Sequence, residues 1–247
     1  MKTFCTLLKN ELKLNIRDMN MVIFAVIMPE IILVILGIIY GSKPATNDVT
    51  YTFLEQSFGA LCSISICAGG LMGLPIIISD YRERKILKRF WATPISPLML
   101  LSVEFAIYVI YAVISILVLF GTASLIWNIQ IYGSLPSFLG SWILLMISTF
   151  CIGIMVGGIA KNTKTATVIA SILYFPMLLF SGTTLPFEVM PQVMQKIVRV
   201  FPMTQGIQLI KSTYLGLPIE QVWQPIFVMT IVTVICCSIT IKCFRWE

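Results

Sequence analysis

The sequence predicts an all-α membrane protein with six transmembrane helices, and three observations carry that fold class. Apolar stretches fall at 19–40, 58–79, 98–126, 138–160, 166–181 and 224–241. Crossing a hydrocarbon core of about 30 Å takes roughly 20 helical residues, so nearly all of them are long enough; 166–181 is the shortest. Hydrophobic residues make up 58% of the chain and charged residues only 11%, with mean hydropathy +0.94, far from soluble composition. The basic residues are also segregated to one side of the stretches, as the positive-inside rule requires.

The chain begins with an amphipathic segment, 3–17. Phe4, Leu8, Leu12 and Ile16 recur every four residues, with Leu7 and Leu14 beside them. Lys9, Lys13 and Arg17 form a parallel basic stripe, and Glu11 and Asn15 interrupt the apolar side. Such a helix is expected to lie in the membrane interface with its lysines toward anionic lipid headgroups. It serves either as a topology anchor or as a lever on the first span.

The first span carries Glu30 directly after Pro29. A carboxylate at the centre of a span costs about 2.5–3.5 kcal/mol unless protonated or paired, so Glu30 belongs in the bundle interior or at a subunit interface. The proline leaves a nearby backbone carbonyl without its usual donor. Close helix packing is the expected use of Gly69, Gly70 and Gly73 in the second span and of Gly153, Gly157 and Gly158 in the fourth. Glu104, at the start of the third span, is within reach of basic residues such as Arg89.

Segment 80–97, DYRERKILKRFWATPISP, separates spans two and three. Topology alone calls for a few lysines. It does not call for Phe90 and Trp91 followed by Thr93-Pro94 and Ser96-Pro97, where the prolines stop one helix and set the entry of the next. A short charged helix with an apolar tip fits a protein-docking surface better than a passive loop. Segment 183–221 is long for a bundle connection. Pro186, Pro191 and Pro202 divide it, Val193, Ile197, Val200 and Phe201 suggest one short helix, and 208–214 a second. These pieces are expected to re-enter the outer leaflet as a gate or to form a packed cap.

With the N-terminus inside, only Lys43, Lys196, Arg199 and Lys211 lie on the opposite side. Both termini are then cytoplasmic. A net charge of +6 is accounted for by the membrane rather than by nucleic acid. The first apolar stretch is too long for a cleaved signal core, and the spans use up the chain, so a single membrane domain over 1–247 is expected. The seven cysteines include none in an outside loop and no metal-ligand spacing. Without histidine, a Ser–His hydrolase, a His-ligated metal site and a histidine proton relay are excluded. No GxxxxGK[ST] occurs to cradle nucleotide phosphates. The chain is expected to be no enzyme, and an energised transporter built on it needs its motor from another polypeptide.

The run Arg82-Glu83-Arg84-Lys85-Ile86-Leu87-Lys88-Arg89-Phe90-Trp91-Ala92-Thr93-Pro94 resembles the cytoplasmic signature of the ABC-2 type exporter permeases. There a glutamate, a Leu-Lys-Arg run and a Thr-Pro recur at this spacing before the third span; many members have Gly-Thr in place of Lys85-Ile86. A second block, Ser181-Gly182, Leu185-Pro186, Glu188, Met190-Pro191 and Phe201-Pro202, is similar to the family's segment between spans five and six.

The resemblance implies a pair of membrane subunits, two identical chains or this chain with a related permease, resting on two cytoplasmic ATPase subunits that bind ATP and Mg. It implies that the interfacial helix (1–18; Lys9, Lys13, Arg17) and the coupling loop (80–97; Arg82, Glu83, Arg84, Lys85, Lys88, Arg89, Phe90, Trp91, Thr93, Pro94) fit a groove on the ATPase. Glu30 would lie near the translocation pathway. The outer gate (183–221) would involve Gly182, Pro186, Glu188, Pro191 and Pro202. The implied setting is a bacterial plasma membrane, and the implied cargo an amphipathic drug, antimicrobial peptide or lipid. An ion-driven secondary carrier and a non-transporting immunity or sensor subunit are the competing readings.

Overall fold

The structure is a computed structural model, and it describes residues 2–17, 19–41, 43–44, 51–86, 96–180, 191–199, 201–216 and 223–243. These residues are almost wholly helical and contain six helices long and apolar enough to cross a membrane: Ile23–Tyr40, Phe53–Glu83, Leu98–Trp127, Leu135–Ile159, Thr163–Phe180 and Trp223–Lys242. They correspond one for one to the apolar stretches of the sequence. No strand occurs among the described residues, only an isolated bridge between Pro44 and Thr52.

The second span is longer at both ends than its apolar stretch. It starts at Phe53 because Thr52 and Glu55 form a reciprocal capping box, Glu55 N–H donating to Thr52 Oγ1 and Thr52 N–H to Glu55 Oε2 at 2.7 Å. It runs on to Glu83 through polar residues that find partners on neighbouring spans. The third span starts where Ser96 caps the Met99 N–H and Pro97 supplies a first-turn residue that needs no donor. The fifth starts earlier than 166 because the Asn162 carboxamide accepts from Thr165 N–H at 2.8 Å.

Spans one and two each contain one π turn, Ile23–Ile27 and Ala68–Gly73. Each ends one residue ahead of the residue before a proline's ring enters the helix: Met28-Pro29 and Leu74-Pro75 follow directly. A proline ring collides with the carbonyl four residues back, and widening the turn moves that carbonyl aside. The wide bonds are Met28 N–H to Ile23 O and Leu74 N–H to Gly69 O. The two π turns pack against one another.

Span two is the centre of the bundle. Of its most apolar stretch 83% is buried, against 22%, 22% and 17% for spans one, five and six, which present apolar flanks suited to hydrocarbon. Spans one, three, four and five all contact it, and span six packs on span four. Glycines permit these contacts. A Cβ on Gly153 would collide with the Gly70 carbonyl oxygen, and one on Gly69 or Gly73 would meet the Tyr108 ring of span three.

The helix Lys2–Arg17 packs on the third span through Phe4, Leu7, Leu8 and Leu12, with Lys9 and Lys13 exposed. Ile16 and Leu14, expected on or beside the apolar side, face away from the bundle. At the opposite end lie Gln192–Val198 and Pro202–Leu215. In the first, Val198 is buried, while Val193 and Ile197 are exposed. The second is one continuous helix where the sequence suggested only 208–214. It is buried against spans two, four and six and ended by Gly216 in the left-handed region at φ 69°.

Candidate functional site: the basic end and the first span

The basic end of the bundle is a joint of three elements. The Tyr81 hydroxyl at the end of span two lies 2.7 Å from Glu104 Oε1 in span three and 3.2 Å from Glu11 Oε2 in the N-terminal helix. Its single proton serves two carboxylates, and Glu104 is fully buried. Asn15 faces the same carboxylate from the N-terminal helix. Glu11 and Asn15 therefore interrupt the helix's apolar side because they meet polar partners there. Tyr81 and Leu100 form a small core beside this joint, with Leu7, Ile77 and Ile86 against it.

Arg82 turns inward. Its Nη1 donates to the carbonyls of Gly157 at 3.0 Å and Ala160 at 2.7 Å, at the C-terminal end of span four. Those carbonyls have no following helical turn, and the negative end of the helix dipole favours a cation there. Glu83 does the complementary work. Its Oε2 accepts from Thr163 N–H at 2.8 Å and from the Thr163 hydroxyl, at the N-terminus of span five.

Arg84 is exposed and paired with Asp80 at 2.8 Å. Lys85 is exposed, with φ 56°, in the left-handed conformation that favours glycine. That is the position where many of the permeases it resembles carry glycine. Lys88, Arg89, Phe90, Trp91, Thr93 and Pro94 lie outside the described residues, as does the expected Glu104–Arg89 contact. Arg17 closes the N-terminal helix.

Glu30 is the third residue of the α-helix Met28–Tyr40 that follows the first π turn, partly buried, and its Oε2 has no hydrogen-bond partner among the described residues. Pro191 is the exposed N-cap of Gln192–Val198, and Pro202 opens Pro202–Leu215. Gly182, Pro186 and Glu188 lie outside the described residues.

Two participants escaped the sequence. Tyr81 was visible only as part of a charged loop. Glu55, buried at 4% exposure, takes the Gln130 N–H at 3.1 Å and so ties the start of span two to the segment after span three; its signal was the T-x-x-E spacing of the capping box. Between the start of span four, the helix Pro202–Leu215 and span six, a cavity of about 530 Å³ is lined by Ser137, Ser141, Thr213, Ser212, Leu209 and Ile226.

The described residues thus form a six-span helical membrane domain with a helix packed across the base of spans two and three. The chain belongs to the ABC-2 type transporter family, whose family model matches residues 2–215. It is 28% identical over 144 residues to the inner membrane transport permease YhhJ of Escherichia coli K12. That match covers 58% of this chain and 38% of YhhJ, so it spans well under half of that relative. It is 27% identical over 198 residues to the putative transport permease YvfS of Bacillus subtilis 168, covering 78% of this chain and 77% of YvfS.

Proposed function

We propose that the chain is the membrane subunit of an ATP-driven exporter. Two copies, or this chain and a related permease, form the pathway, and two cytoplasmic ATPase subunits bind ATP with Mg and drive it. The basic end faces the cytoplasm, both termini lie there, and the membrane is a bacterial plasma membrane. Segment 1–18 and segment 80–97 couple to the motor, 183–221 gates the outer side, and Glu30 lies on the path of an amphipathic drug, peptide or lipid.

The observation that carries this reading is the Glu11–Tyr81–Glu104 joint. A force applied to the N-terminal helix or to the start of segment 80–97 reaches spans two and three through hydrogen bonds and the Leu7–Tyr81–Leu100 core. Lys9, Lys13, Arg84 and Lys85 are exposed charges at that end, with Lys161 and Lys164 exposed at the neighbouring corner of spans four and five. Arg82 holds the surface in shape from behind, and Glu83 pins it to the start of span five.

The test is purification of the tagged chain from native membranes in mild detergent, with ATPase activity assayed on the eluate. A co-purifying ATPase is expected, and the combined Lys9→Glu, Lys13→Glu and Arg84→Glu changes should release it while leaving thermal unfolding unchanged. A chain that purifies without any ATPase, or whose ATPase is indifferent to those changes, would defeat the proposal.

A further inference from the structure

Hydroxyls inside the spans mostly satisfy themselves. Ser63, Thr149, Thr230, Thr233, Ser238 and Thr240 each donate to the carbonyl one turn back. Ser65 Oγ and Ser115 Oγ do not. Both are buried, at 2% and 1% exposure, and neither has a hydrogen-bond partner among the described residues. Glu30 Oε2 is in the same condition on span one, and Glu104 Oε2, at the basic-end joint already described, is the other such carboxylate oxygen on the first three spans.

The packing places Glu30, Ser65 and Ser115 at one depth. The Tyr40 and Phe53 rings stack with centroids 4.1 Å apart, which sets the level of span one against span two. Ten residues from each, with no π turn between, are Glu30 and Ser63, so Glu30 lies within about 3 Å, along the axis, of Ser65. Phe58 meets Phe120 edge to face at 6.2 Å, and Gly69 lies against Tyr108, which sets span three against span two. Ser65 falls between Phe58 and Gly69, and Ser115 between Tyr108 and Phe120. By that register Ser115 is within about one turn of Ser65.

They also share facing surfaces. Ser65 is seven residues from Phe58 and four from Gly69, on the face of span two that meets span three. Ser115 is seven residues from Tyr108, on the face of span three that meets span two. Glu30 is seven residues from Gly37, which packs on the Trp127 indole of span three. The carboxylate is partly buried, so the group is reachable from the flank of span one.

We infer that Glu30, Ser65 and Ser115 form a binding site for a primary ammonium group at the junction of the first three spans. An R–NH₃⁺ group carries one charge and three donors, and the site offers one carboxylate and two hydroxyl acceptors. A quaternary ammonium matches the charge but brings no donor. The ammonium can come from a cationic amphipathic cargo or from an aminolipid headgroup. This inference rests on the export reading for its purpose, yet binding needs no ATPase, so the two can fail separately.

The test uses the full chain in lipid nanodiscs without ATPase, titrated calorimetrically with dodecylammonium and with dodecyltrimethylammonium, each corrected for empty nanodiscs. Nanodiscs with and without phosphatidylethanolamine distinguish the two sources, because an aminolipid at the site would compete with dodecylammonium. Saturable binding of the primary amine is expected, weakened about tenfold or more by Glu30→Gln and several-fold by Ser65→Ala with Ser115→Ala. The trimethyl analogue should bind at least tenfold more weakly to the wild type. Unaltered binding in Glu30→Gln, equal binding of the two probes, or no saturable binding to the wild type overturns the site. The alanine pair covers the case in which Glu30→Gln fails to fold.

Discussion

Arg82 and Glu83, adjacent in the chain, clasp opposite ends of the corner between spans four and five. Arg82 donates to the Ala160 carbonyl that ends one helix, and Glu83 accepts from the Thr163 amide that begins the next. Each charge meets the helix end of opposite dipole sign. The second span thereby fixes how the fourth and fifth leave one another. Both members of the charged signature hold the fold, Arg82 from a buried position and Glu83 from an exposed one.

Replacing Arg82 with Met should therefore lower stability by about 2–3 kcal/mol, since two carbonyls at a helix end lose a charged donor. Denaturant unfolding in detergent measures it. Arg84→Glu, on the exposed neighbour, should leave unfolding unchanged and alter ATPase binding instead. Equal stability of the Arg82 variant and the wild type would show that the clasp contributes nothing.

Tyr81→Phe removes the hydroxyl that reaches both Glu11 and Glu104. The two carboxylates then lose their shared donor, with the Asn15 carboxamide left beside Glu104, and the N-terminal helix should loosen. Hydrogen exchange over residues 3–17 should accelerate about tenfold, corresponding to roughly 1.4 kcal/mol. Adding Glu11→Gln supplies an amide donor to Glu104 and should restore much of the protection. Unchanged exchange in Tyr81→Phe would mean that the helix is held by its apolar side alone.

Lys85 occupies the left-handed region at φ 56°. Lys85→Gly should relieve about 1 kcal/mol of backbone strain and raise the unfolding midpoint. A β-branched Lys85→Val should lower it. Should the glycine variant lose stability, the positive φ is not the conformation that the helix end requires.

Gly153 and Gly140 make an internal control on one helix. Gly153→Ala places a methyl against the Gly70 carbonyl and should cost about 1–3 kcal/mol, whereas a Cβ on Gly140 meets nothing within 4 Å. Gly140→Ala should be neutral or stabilising by up to about 1 kcal/mol from helix propensity. Thermal unfolding of the pair decides whether spans two and four touch at the backbone.

The spans, the N-terminal helix and the glycine contacts were legible because bilayer thickness and helical period act on local sequence. Residue roles at the basic end were less so. Arg82 and Arg84 are both arginines in one charged run, and only the third dimension shows that one faces the fourth span and the other solvent. Glu11 looked like a flaw in an amphipathic pattern until Tyr81, seventy residues away, supplied its partner. The helix Pro202–Leu215 was underestimated because its buried face is mixed: Thr204, Gln205 and Ser212 are packed beside Ile207 and Ile210, which blurs a 3.6-residue signal.

A π turn is an α-helix holding one residue more than its hydrogen bonding needs. The surplus residue in Ala68–Gly73 sets the rotational phase of everything between it and Glu83. Deleting one residue there would restore a uniform helix and swing Tyr81, Arg82 and Glu83 by about 100° around its axis. Each would then aim at the wrong neighbour, although every side chain of the clasp and of the joint is still present. In the second span, residue number as well as residue identity determines which partners meet, and length changes in this turn should be tolerated far less well than substitutions.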